Sequence, residues 1–116
     1  MPWRARPVPV EKRDAVDWLS DWKGPRPGRL TVLFHTIAWQ YLPKYAQEIG
    51  DELIARHGER ASQDAPMARF TMEAAGAFAA LRLQRWPEGI MMDLGRADYH
   101  GRWVAWEAGA RPEGDR

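Results

Sequence analysis

A chain of 116 residues with 45% hydrophobic and 28% charged side chains has room for one domain around one core, and is too short for two domains of ordinary size. Seventeen Lys and Arg against sixteen Asp and Glu leave a formal net charge of +1, which supplies no field to gather nucleic acid or anionic lipid, so neither is expected as a partner. The absence of cysteine removes disulfides, thiolate nucleophiles and Cys-based zinc sites, and with no signal-like apolar start and no run near the ~20 apolar residues of a membrane span, a cytoplasmic protein is expected.

Residues 1–9, MPWRARPVP, carry three prolines and two arginines and are expected to form a flexible arm, with a single α/β domain over residues 10–108 and a frayed tail over 109–116. Between Val10 and Trp22, the positions Ala15, Trp18, Leu19 and Trp22 repeat at the spacing of one helical face, which predicts a short helix ended by the turn-forming GPRPGR. LTVLFHTIA, residues 30–38, is a nearly continuous apolar run that predicts a central strand covered on both faces. A crossover helix is expected from Pro43 to His57. Ala46, Ile49, Leu53 and Ile54 form its apolar stripe, Pro43 occupies the first turn and Gly58 caps the end. MARFTMEA alternates Ala68, Phe70 and Met72 with Arg69, Thr71 and Glu73, and pairs as an antiparallel hairpin with ALRLQRW, residues 80–86. Strands at Ile90–Leu94 and Arg102–Glu107 complete the sheet. The fold class is therefore α/β, with α+β as the alternative: one strand with its crossover helix, then an antiparallel meander.

Ligand sites of open α/β sheets lie beyond the carboxyl ends of parallel strands, which directs attention to HTIAWQY, residues 35–41. His35, Trp39, Gln40 and Tyr41 there either form a site for a planar ligand or reduce to a satisfied core histidine and a packing tryptophan. In ADYHGR, Asp98 and His100 either contribute to a metal or proton-transfer site with His35 or simply organise a tight turn. No metal site is assigned. HExxH, Walker and nucleophile-elbow motifs are all absent, and serine occurs only at Ser20 and Ser62, so Ser-His-Asp hydrolysis is not expected. Seven tryptophans stand at positions 3, 18, 22, 39, 86, 103 and 106. Trp103 and Trp106 are expected on opposite faces of the last strand, where at least one could contact a partner.

DAVDWL, PRPGRLTVLFHTIAWQYLP and DYHGRWVAW together resemble the C-terminal region of the bacterial domain-of-unknown-function 2332 family, over most of residues 13–106. The resemblance implies a methyltransferase-like sheet in which residues 30–38 are the fourth strand and Trp39, Gln40 and Tyr41 occupy substrate-facing positions. The glycine element that family members carry upstream has no counterpart here. Gly24 and Gly28 sit in a Pro-rich turn with no strand before them, so S-adenosylmethionine is not expected as a cofactor. Two functions follow as expectations. One is a truncated, non-catalytic module whose sheet edge pairs with itself in a homodimer or with a separate chain. The other is a methyltransferase-class or other transferase enzyme working through His35, Tyr41 and His100.

Overall fold

The structure, a computed structural model, describes residues 11–36 and 38–107. The expected arm and tail, and the first residue of the expected helical stretch, lie outside the described residues. Asp14 opens α1, Ala15–Asp21, by accepting hydrogen bonds from the Val16 and Asp17 amides, which satisfies two of the donors a helix start leaves free. Strand β1, Thr31–Thr36, leads through a single 3-10 turn at Trp39–Tyr41 into α2, Lys44–Glu59. Strands β2 (Met67–Ala75), β3 (Phe78–Trp86), β4 (Ile90–Ala97) and β5 (Val104–Trp106) follow. They form one five-stranded mixed sheet in the order β1-β2-β3-β4-β5, parallel between β1 and β2 and antiparallel thereafter. The class is thus α+β: one parallel β1-α2-β2 crossover unit, compatible with part of a Rossmann-like sheet, followed by the expected meander.

Side-chain parity identifies the two faces. Met67 is fully buried with Leu19 of α1, Ile54 of α2 and Trp86 of β3, so the helices cover the face that carries Met67, Arg69, Thr71 and Glu73. The parallel register places Thr31, Leu33 and His35 on that same face. The opposite face carries Val32, Phe34, Phe70, Met72 and Leu83. It builds a second, smaller cluster around Leu81, Leu94 and Ala97.

The structure departs from the sequence expectations at β1, α2 and β5. Residues 31–36 form an edge strand and not one covered on both faces: among the described residues only β2 pairs with β1, and Val32 and Phe34 are 52% and 58% exposed. An uninterrupted apolar run signals burial, and here that burial is incomplete. Next, Gly58 is no cap. It lies inside α2, where a Cβ would come within 2.5 Å of the Trp86 indole, so glycine is what lets that ring lie flush on the helix. Pro43 correspondingly precedes the helix as its N-cap, and Ile49 is exposed while Gly50 and His57 take places on the buried face. Finally, β5 spans three residues, so Trp103 precedes it and the opposite-face argument for Trp103 and Trp106 does not apply; both rings are exposed.

His57 fastens the two helices. Its ring accepts at Nδ1 from the Arg60 guanidinium (2.7 Å), a group that can only donate, so Nε2 carries the proton and donates to the Leu19 carbonyl at 2.9 Å. Arg60 also donates to the Lys23 carbonyl at 2.7 Å. Gly24, held at φ +69, leaves room for both side chains, because a Cβ there would meet Arg60 and His57 at 2.5 and 2.7 Å.

Candidate functional site

Where α2 ends its cover of the sheet, β1 and β2 bring a polar cluster together on the helix-covered face. His35 Nδ1 lies 2.5 Å from Glu73 Oε2, and the Arg69 Nε–H donates to His35 Nε2 at 3.1 Å. Since guanidinium offers no lone pair, Nε2 must accept, and His35 is the neutral tautomer that donates from Nδ1 to the carboxylate. Burial pushes the imidazole below the ordinary histidine value; the Glu73 hydrogen bond opposes this and the Arg69 charge reinforces it. Arg69 then reaches Asp51 of α2 at 3.0 Å. Trp39 lids the group, stacked on His35 at 4.7 Å and 21°, with the Arg69 Cζ 4.8 Å from its ring centroid. Gly50 seats this lid: a Cβ there would stand 2.6 Å from the indole.

These residues, with Thr71, Arg82, Gln84 and Met91, line a cavity of about 200 Å³. Two buried polar atoms in the cluster, Trp39 Nε1 and Glu73 Oε1, have no hydrogen-bond partner among the described residues.

Of the residues expected at a site, His35 and Trp39 are brought into contact. Gln40 is tied elsewhere, its Oε1 accepting from the Ala74 amide at 3.2 Å, and so it clips the 3-10 turn to the end of β2. Tyr41 is 75% exposed and does not line the cavity. Asp98 and His100 lie in the β4–β5 turn, three strands along the sheet from β1, or about 14 Å at ~4.8 Å per strand. The Asp98 carboxylate accepts from the amides of His100 and Arg102 at 3.0 and 3.1 Å and from the Arg102 guanidinium at 3.1 and 3.2 Å. Those bonds, led by the guanidinium, hold its pKa down to about 2. These bonds close the ADYHGR turn. Among the described residues no group of three or more His, Cys, Asp or Glu is placed to hold a metal ion, and no helix is long and apolar enough to cross a membrane.

Arg69 and Glu73 escaped the sequence reading because their alternation with Phe70 and Met72 looked like a solvent face. The signal that finds them is parallel parity: once β1 and β2 pair side by side, His35, Arg69 and Glu73 necessarily share a face.

A second feature is the edge of β1 that no strand pairs among the described residues. The Thr31 amide donates to the Pro66 carbonyl at 3.0 Å, so in this parallel ladder the peptide groups of Thr31, Leu33 and His35 face β2. The amides and carbonyls of Val32 and Phe34 therefore face outward. On the helix side, a groove of about 420 Å³ runs beside this edge, walled by Trp18, Leu19, Leu33, His35 and Trp39. Leu30, 63% exposed, and Val32 line a further, mainly apolar hollow on the other face with Phe70 and Leu83.

No curated protein and no solved structure matches the chain. Residues 3–106 match the family model described as "Uncharacterized protein conserved in bacteria (DUF2332)", and the chain belongs to that family.

Proposed function

We propose that this chain is an interaction module, non-catalytic by itself, built on a partial methyltransferase-like sheet and working by accepting a further β-strand along the open edge of β1. The observation that carries the reading is the character of that edge. TVLFHT has no charge, proline or bulge, and these are the devices that normally keep an exposed edge from pairing. Its outward peptide groups at Val32 and Phe34 supply main-chain hydrogen bonds, and the flanking groove and hollow supply places for alternate side chains, as in strand-addition recognition.

The transferase alternative is weaker. Both ring nitrogens of His35 are already engaged, and neither Tyr41 nor His100 stands beside it. A general base needs a free lone pair within reach of its substrate.

Proline at position 32 or 34 tests the edge directly, because those amides make no bond to β2. Binding of short, uncharged peptides with alternating apolar residues, and self-association, are expected in the parent chain and lost in Val32→Pro and Phe34→Pro with the fold retained. Proline variants that match the parent in both measurements would contradict the proposal.

A further inference from the structure

The edge also specifies what can pair with it, an inference that rests on the reading just proposed. We propose that the added strand is β1 of a second copy, antiparallel about a twofold axis through Leu33, so that Val32 of each copy pairs with the partner's Phe34.

Hydrogen-bonding parity restricts the choices. Outward-facing peptide groups must meet outward-facing ones, and in β1 these belong to the even-numbered residues. A twofold axis must then pass through a residue and not between two. With the axis on Leu33, Val32 and Phe34 form two hydrogen-bonded pairs that set a β-branched side chain against an aromatic one. Leu33 meets the partner's Leu33 in the narrow, non-hydrogen-bonded position, and His35 meets the partner's Thr31. An axis on Phe34 would instead oppose His35 to the partner's Leu33, a polar group against an apolar one.

The groove fits this arrangement. It lies on the Leu33 face, where the partner's Leu33 enters among Trp18, Leu19 and Leu33 while the partner's Thr31 sits beside His35 and Trp39. Its rim carries Glu11 and Arg13, one of each sign, and the net charge of +1 sets up no repulsion between copies. The exposed parts of Leu30, Val32 and Phe34 amount to on the order of 300 Å² per copy, given ~150–250 Å² for a whole aromatic side chain. For two copies this is on the order of 600 Å² before the groove walls are added, the size of a weak, concentration-dependent contact.

The chain has no cysteine, so single introduced thiols report contacts without background. In the proposed register the Leu33 Cα atoms of the two copies lie ~4.5 Å apart, inside the ~4.4–6.8 Å that a disulfide spans. Leu33→Cys is expected to give a covalent dimer under mild oxidation. Because Leu33 packs against the core, a second pair of variants at exposed positions guards against misfolding: Val32→Cys mixed with Phe34→Cys should cross-link, while neither does so alone. Cross-linking of Phe34→Cys alone would overturn the register. Failure of all these variants to cross-link, with strand-peptide binding still abolished by Val32→Pro, would overturn the second copy as occupant and leave the edge reading intact. Loss of the peptide effect as well would remove both.

Discussion

At the scale of single residues, His35 and His57 each accept a hydrogen bond from an arginine that can only donate. For His35, burial favours the uncharged ring in the folded chain, so the unfolded chain takes up a proton first as pH falls. The stability tied to this group is therefore fully present above the ordinary histidine value of about 6.5 and is lost as pH drops below it. Glu73, Arg69 and Asp51 are the charged groups around this ring. Thermal midpoints measured from about pH 8 to pH 5 are expected to fall in the parent chain, and to fall less steeply in His35→Gln, which keeps a neutral polar group at the position. An unchanged slope in the variant would mean that the pH dependence arises elsewhere. Neither bond to His35 was legible in the sequence. An imidazole one residue from a strand end looks the same whether it meets substrate, metal or an arginine 34 positions away.

At the scale of elements, the helices and most strand positions could be read from periodicity, because Ala15, Leu19 and Trp22, and then Ala46, Leu53 and Ile54, recur at helical spacing and the hairpin alternates. The sequence did not disclose which strand would be the edge. An apolar run such as TVLF is written alike for a strand buried by its own chain and for one that another chain could bury. Gly58 misled for a related reason: glycine near a helix end usually caps it, whereas here it makes space for an aromatic ring donated from β3. Since the added Cβ would meet the Trp86 indole at 2.5 Å, Gly58→Ala is expected to destabilise by about 1–3 kcal/mol through overpacking, despite alanine's better helix propensity. For a domain of this size each kcal/mol lowers the thermal midpoint by roughly 4–8 °C, so a scanning calorimeter resolves the effect. A midpoint at or above that of the parent chain would show that Trp86 has space to retreat. Removing the other helix fastener, in His57→Ala, leaves the buried Leu19 carbonyl without its donor and should cost about 1–3 kcal/mol by the same measurement.

At the scale of the whole molecule, the helices cover one face of the sheet, and the other face and the β1 edge keep apolar groups at the surface. That exposed apolar surface is what the proposed strand-accepting role rests on. A ligand that binds the folded state at a hundred times its dissociation constant raises stability by about 2.7 kcal/mol. S-adenosylmethionine and S-adenosylhomocysteine at millimolar concentration are expected to leave the thermal midpoint unmoved, and a clear upward shift would bring the transferase alternative forward.

Amide hydrogen exchange reads, residue by residue, whether the outer edge of β1 takes up another strand. Leu33 and His35, whose amides face β2, act as internal references. Val32 and Phe34 are expected to exchange quickly in dilute protein and to become protected as the protein concentration rises, while Leu33 and His35 stay protected throughout. Rapid exchange of Val32 and Phe34 at every concentration, with the two reference amides still protected, would contradict strand uptake at this edge.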